Sequence, residues 1–274
     1  MNSRSVALQD VRILKLPVPG SHKGQNGRLL VIGGSRLFHA ASLWALTVAS
    51  RVVDLVHYSS VPENNMLVAN AKDEFRNGIV VPRSEIESYI EEDDCILLGP
   101  GMTRDEETRS LTHQLLSKHT GKQWVIDAGA LQMMDLADIP KNAILTPHHG
   151  EFASLTVKMN MQEASEVEQV KLMAQKYRCI VLLKGQKDIA SNGQEVRSIE
   201  GGNEGMTKGG TGDVLAGLIA ALACKNDPFL ATIAGSFINK KAGDALYKTV
   251  GPFFNASDLA AQIPVTMKRL IKGI

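Results

Sequence analysis

The run Leu29-Leu-Val-Ile-Gly33, followed by an alanine-rich segment over residues 40–53 and then by Asp54-Leu-Val-His-Tyr58, reads as strand, glycine-bearing loop, helix and strand. The first run is short and continuously apolar, as a buried strand is, and the second reads as the next strand, its neighbour in the sheet. Such a unit is the building block of a parallel sheet. The pattern recurs along the chain. Cys95-Ile-Leu-Leu98 ends in Gly99-Pro-Gly101 and precedes an amphipathic helical stretch over residues 104–119. Trp124-Val-Ile-Asp127 and Ala143-Ile-Leu-Thr146 are further short strands, and a helix predicted over residues 163–177 feeds Cys179-Ile-Val-Leu-Leu183. Residues 188–199, centred on Asn192-Gly193, predict a β-hairpin with a type I′ turn. Helices are predicted over residues 212–224 and 228–248. The expected fold class is α/β with a mostly parallel central sheet. No internal repeat or Pro/Gly/Ser-rich linker divides the chain, so a single domain over residues 1–274 is expected.

Composition narrows the partners. Thirty Lys and Arg against 29 Asp and Glu leave a formal charge of +1, and no run collects five like charges. An electrostatic footprint for nucleic acid is therefore missing, and none is expected as a partner. A hydrophobic fraction of 44% with 22% charged residues is that of an ordinary globular protein. No apolar run approaches the roughly 18–20 residues that span a bilayer, so no membrane association is expected. The N-terminal stretch lacks an apolar segment long enough for a signal peptide, and the expected location is cytoplasmic. Cys95, Cys179 and Cys224 are far apart, lack metal-ligand spacing and read as core thiols.

The segment richest in chemistry is Gly205-Met-Thr-Lys-Gly-Gly-Thr-Gly-Asp213, which runs straight into the apolar Val214-Leu-Ala-Gly-Leu-Ile-Ala-Ala-Leu222. Glycines allow successive N–H groups to converge on an anion, and a helix beginning here adds free amides and a positive dipole end. Lys208, Gly209, Gly210, Thr211 and Gly212 are thus candidate phosphate-binding residues. Asp213, in the first helical turn, is a candidate general base. The order is neither that of a Walker loop nor that of a dinucleotide fingerprint. The plainer reading makes Gly212 a packing residue and Asp213 a cap. Four glycines in eight residues, interleaved with Lys, Thr and Asp, favour the anion site.

Gly-Thr-Gly-Asp opening an apolar helix resembles the ribokinase-like superfamily. Further segments resemble one branch of it, the ADP- or ATP-dependent NAD(P)H-hydrate dehydratases: Gly33-Gly-Ser35 with Ala40-Ala41, Gly99-Pro-Gly101, Asp127-Ala-Gly129, Leu145-Thr-Pro-His-His-Gly-Glu151 and Leu183-Lys-Gly185. The resemblance runs from about Lys23 to Leu222. It implies a three-layer α/β/α sandwich. It also implies that Ala41, Gly101, His148 and Asp213 contact the hydrated dinucleotide. Lys184, Gly185, Gln186, Lys187 and Asp188 would hold the adenine nucleotide, with Gly212 at its phosphates. This chain departs from the common pattern at Phe38-His39-Ala40, where relatives carry an aromatic, a small polar residue and glycine.

The activity implied is dehydration of the S epimer of NADH hydrate or NADPH hydrate at the expense of ADP or ATP. Asp213 would take the hydroxyl proton, the hydroxyl would be phosphorylated, and phosphate would then be eliminated. Mg²⁺ is the expected ion, carried by the nucleotide, because no metal-ligand set stands out. Adjacent His148 and His149 point apart in a strand or turn, which favours hydrogen bonding to a ligand over a shared metal. A homo-oligomer is expected, with the apolar helix from Phe229 as an available interface, and the companion epimerase would be a separate protein. Two other functions fit the loop alone: a vitamin-precursor or sugar kinase of the same superfamily, and a non-catalytic nucleotide-binding protein.

Overall fold

Alternate residues of each central strand enter opposite cores. Leu29, Val31, Cys95, Leu97 and Val125 pack on one side, while Leu30, Ile32, Ile96, Leu98, Trp124 and Ile126 pack on the other. Both faces of the sheet are therefore covered, which is why the strands are uniformly apolar. The computed structural model describes residues 4–6, 8–70, 77–159 and 164–272.

The strands are β1 (Arg4–Ser5), β2 (Arg28–Ile32), β3 (Leu55–Ser59), β4 (Ile79–Val80), β5 (Cys95–Leu98), β6 (Gln123–Ile126), β7 (Ile144–Leu145), β8 (Ile180–Leu183), β9 (Asp188–Ser191) and β10 (Val196–Ile199). Among the described residues they form one ten-stranded sheet in the order β1-β10-β9-β8-β7-β6-β5-β2-β3-β4. From β8 to β4 every pairing is parallel; β9 pairs antiparallel with both β8 and β10. The carboxyl ends of seven strands thus lie along one edge, the place where open α/β sheets bind ligands.

The helices are α1 (Leu8–Arg12), α2 (His39–Ala49), α3 (Pro62–Asn70), α4 (Ile86–Glu92), α5 (Glu106–Lys118), α6 (Ala128–Met133), α7 (His149–Met159), α8 (Glu166–Tyr177), α9 (Thr211–Ala223), α10 (Pro228–Val250) and α11 (Ala256–Lys272). Residues of α2, α9, α10 and α11 fill the first core, and residues of α4 to α8 fill the second, which gives the three-layer sandwich. Local sequence sets the boundaries. Ser165 and Glu168 form a reciprocal capping box that starts α8. Asp227 caps α10 by accepting from the amides of Phe229 and Leu230, with Pro228 in the first turn.

Two expectations need correction. The hairpin forms, but Ser191 pairs with Val196 across a four-residue connection, and Asn192 is absent from the positive-φ residues that a type I′ turn demands. Instead the Asn192 side chain accepts from the amides of Gln194 and Glu195, an Asx-type turn. The first half of α10 is no exposed apolar face: Phe229, Ile233, Phe237 and Ile238 are buried within the chain. The predicted helix over 163–177 begins at Glu166, and Glu163 lies outside the described residues. All three cysteines are buried and free.

Candidate functional site

The ends of β6, β7 and β8 bring together Asp127, Thr146, His148 and Lys184. His148 and Lys184 form an isolated parallel bridge that continues the β7–β8 pairing. Lys184 Nζ donates to Asp127 Oδ1 at 2.8 Å, and Thr146 Oγ1 donates to the same oxygen at 2.8 Å. Asp127 is 2% exposed. Burial alone would lower the Lys184 ammonium, but Asp127, Glu151 and Asp213 together hold it above its ordinary value. Glu151 is buried too: it accepts from Gln132 Nε2 and from the His148 amide, both at 2.8 Å.

Asp213 lies in the first turn of α9. Burial pushes its carboxyl up to about 7, the negative charge of Asp127 adds to this, and Lys184 opposes it. A carboxylate normally ionised near 4 is thereby poised as a base at neutral pH.

The loop before α9 owes its shape to particular contacts. Gly210 has φ 94, and a Cβ placed there would meet the Trp44 ring at 2.3 Å, so only glycine fits. Thr211 Oγ1 lies 2.7 Å from the Met206 carbonyl and 2.9 Å from that of Lys208, which folds the turn onto itself.

A cavity of 720 Å³ opens beside this cluster, within the usual range for a small-molecule site. Its lining includes His148, Lys184, Gly185, Gln186 and Asp188 on one side and Gly201, Gly202, Asn203, Met206, Thr211 and Gly212 on another. Asn239 and Lys240 of α10 also line it. Asn239 is 3% exposed, and its Oδ1 has no hydrogen-bond partner among the described residues.

Among the residues singled out from sequence, His148, Lys184, Gly185, Gln186, Asp188, Thr211 and Gly212 therefore share one cavity. Asp213 follows Gly212 directly. Ala41 and Gly101 meet each other at a neighbouring place: a Cβ on Gly101 would lie 3.0 Å from the Ala41 Cβ and 2.4 Å from the Phe38 carbonyl. Gly209 and Gly210 belong to the loop but not to the cavity lining. Lys187 turns away to Glu200, 3.2 Å distant. Lys208 donates to the Pro252 carbonyl and stands 5.5 Å from the centre of the Phe254 ring. Lys184 is thus the cation at the helix start.

Sequence reasoning left Asp127, Thr146, Glu151, Asn239 and Lys240 without roles. A buried aspartate at a strand end was a usable signal for Asp127; the two α10 residues gave none, because that helix read as apolar. His148 Nδ1 accepts from the Glu151 amide at 3.2 Å, so the neutral ring carries its proton on Nε2 and donates there. His149 instead pairs with Glu166 at 2.9 Å through Nδ1, while its Nε2 lies against Gly185, where an added Cβ would come within 2.5 Å of it.

Among the described residues, no three His, Cys, Asp or Glu side chains are grouped as metal ligands. Asp127 and Glu151 are spent on partners inside the protein, since Lys184 and Thr146 donate to the first and Gln132 and the His148 amide to the second.

The fold is that of a ribokinase-like superfamily protein from Enterococcus faecalis, which superimposes with a TM-score of 0.86 at 23% identity over 98% of this chain and 96% of that one. A family model described as NAD(P)H-hydrate dehydratase matches residues 29–265, and the chain belongs to that family. It is 35% identical over 268 residues to the bifunctional NAD(P)H-hydrate repair enzyme of Methanocaldococcus jannaschii, covering 94% of this chain and 52% of that protein. The chain thus spans about half the length of the bifunctional relatives it matches. With the ADP-dependent (S)-NAD(P)H-hydrate dehydratase of Nitrosopumilus maritimus it shares 35% identity over 266 residues, 90% of this chain and 91% of the relative. The ADP/ATP-dependent NAD(P)H-hydrate dehydratase of Bacillus subtilis, crystallised with ATP and Mg²⁺, superimposes with a TM-score of 0.84 at 24% identity, over 98% of this chain and 99% of that one.

Proposed function

We propose that this protein dehydrates the S epimer of NADH hydrate or NADPH hydrate, using ADP or ATP as phosphoryl donor. The observation that carries the proposal is the half-buried Asp213 carboxyl in the first turn of α9, directly after the cavity-lining Gly212 and pushed up to about 7 by its surroundings. A binding module has no need of a base there.

In this mechanism the Asp213 carboxylate accepts the proton of the hydrate's ring hydroxyl. That oxygen attacks the terminal phosphorus of the nucleotide, and the bond from phosphorus to the bridging oxygen breaks. Lys184 and the amides at the start of α9 stabilise the negative charge spread over the transferring group. The carbon–oxygen bond then breaks with inorganic phosphate leaving, and loss of a proton from the adjacent ring carbon restores the dihydronicotinamide. His148 donates from Nε2 to the dinucleotide, and the Ala41–Gly101 contact lets it approach the backbone closely. Gly185, Gln186 and Gly212 border the adenine nucleotide. Mg²⁺ carried in on the nucleotide phosphates would supply charge neutralisation there.

The whole described chain acts as one catalytic domain in this proposal. The protein works in the cytoplasm, as a homo-oligomer, with the R epimer converted to S by a separate epimerase. Incubation with NADH hydrate, Mg²⁺ and either ADP or ATP restores the absorbance band of the reduced nicotinamide. No recovery with either nucleotide would refute the dehydratase assignment, and accumulation of a stable phosphorylated product would mark a kinase instead.

A further inference from the structure

Helix α10 carries Ser236, Lys240 and Asp244 at successive i, i+4 positions, so the three share one helix face. All three are turned to the loops that wall the cavity. Lys240 is 5% exposed, and its ammonium lies 2.9 Å from the Gly185 carbonyl, 3.1 Å from that of Gln186, 3.2 Å from that of Gly201 and 3.1 Å from Asp188 Oδ1. Ser236 Oγ donates to Asp188 Oδ2 at 2.7 Å, and the Gly185 amide donates to Asp188 Oδ1 at 2.9 Å. One turn further, Asp244 Oδ1 accepts from the Gly202 amide at 2.9 Å.

A buried ammonium is costly unless it is paired and its three protons are used. Here they are used on two chain segments that both line the cavity: the connection from β8 to β9, and the stretch after β10. Both oxygens of Asp188 are occupied inside the protein, which makes this residue part of the same fastening. The two segments leave the sheet side by side, since Asp188 at the start of β9 pairs with Ile199 at the end of β10, and the Lys187–Glu200 pair at 3.2 Å joins them again at the exposed surface.

We propose that Lys240 is a positioning residue for the adenine nucleotide: by tying the Gly185–Gln186 backbone to Gly201 it sets the width of the cavity and hence nucleotide affinity, while taking no part in phosphoryl transfer. The proposal rests on the cavity being the nucleotide site. Asp188 and Ser236 act through Lys240 and the Gly185 amide.

The test uses the full-length protein and its Lys240→Met, Lys240→Arg and Ser236→Ala variants. ADP and ATP affinity is measured by calorimetry, and kcat and both KM values by recovery of reduced nicotinamide absorbance. Lys240→Met is expected to weaken nucleotide binding and raise nucleotide KM by about 10-fold or more, the loss set by hydrogen bonds from a charged donor. Its kcat at saturating nucleotide and its KM for the hydrate stay within about twofold of the parent, the pattern of lost uniform binding. Lys240→Arg recovers part of the affinity. Should Lys240→Met not fold, Ser236→Ala, which removes one bond to Asp188, decides alone, with an expected rise of about threefold in nucleotide KM at unchanged kcat. Parent-like nucleotide affinity in these variants, or a parallel loss of kcat and hydrate affinity, overturns the proposal. A parent protein that binds neither nucleotide would instead overturn the assignment of the cavity.

Discussion

Lys184 and Asp127 meet at 2.8 Å although they end β8 and β6, two strands separated in the sheet by β7. Thr146 at the end of β7 closes the gap by donating to the same Asp127 oxygen. The cation shared by Asp127, Glu151 and Asp213 is thus held by sheet order, and the behaviour of Asp213 depends on it.

Asp213→Asn keeps the shape of the helix start and removes the base. Turnover is expected to fall by about 10²- to 10⁴-fold, the usual contribution of general base catalysis. Nucleotide affinity, measured by calorimetry, should remain close to that of the parent. Turnover at the parent level would place the base elsewhere.

The same carboxyl makes activity depend on pH. A base acts deprotonated, so kcat/KM is expected to fall as pH drops through about 7. Asp127 raises the Asp213 value, and Asp127→Asn should therefore move this acidic limb to lower pH. A pH–rate profile of the two proteins checks the sign; a limb displaced upward would contradict it.

Stability carries the opposite signature. The Asp213 carboxyl rises from 3.8 to about 7 on folding, so the folded state favours its protonated form, and ionisation weakens folding as pH climbs through that window. Asp213→Asn should melt higher than the parent above pH 7 and close to it near pH 3.8. Thermal denaturation at the two ends of the window measures the difference.

Lys184→Met removes the cation that offsets the charges of Asp127, Glu151 and Asp213. Breaking a buried pair costs about 3–5 kcal/mol, and the lower end applies because the Lys184 side chain retains 18% exposure. Urea unfolding reads this loss, and a change under about 1 kcal/mol would mean that the pair adds little to folding.

At Gly99 the chain has φ 123, and a Cβ would lie 1.8 Å from the Asp127 carbonyl oxygen. Gly99→Ala should cost at least about 3 kcal/mol, since left-handed strain and a backbone clash act together. Gly121→Ala is the control: it meets nothing within 4 Å and should change stability by about 0.5 kcal/mol or less. Equal effects of the two substitutions would refute the close approach of the β5 and β6 ends.

Much of the frame was legible from residues alone. Cys95-Ile-Leu-Leu98 is a strand at those bounds, and the βα alternation correctly implied a parallel sheet. The helix over residues 256–272 went unread because Pro264 interrupts it, although the first and last turns flank the proline without a break in the chain's helical path. Asn192-Gly193 suggested a two-residue turn, yet the Asn192 side chain captured two downstream amides and lengthened the connection to four residues. Short β4 and α4 escaped because neither carries enough periodic apolar residues to stand out from a loop.

The sequence by itself determined the glycine-rich loop, the helix it opens, the aspartate in its first turn and the strands whose ends carry glycine or polar residues. These are local properties, set by φ preferences, capping and hydrophobic period. Only the tertiary structure decided which lysine serves the site. Lys208, inside the loop, turns to Pro252 and Phe254, while Lys184, distant in sequence, joins Asp127 and Asp213. It also decided that Lys240 fastens two loops across the cavity. The physical reason is the same for both: an ion pair between strand ends depends on the order of strands in the sheet and on which helix covers them, and no local pattern of residues encodes that order.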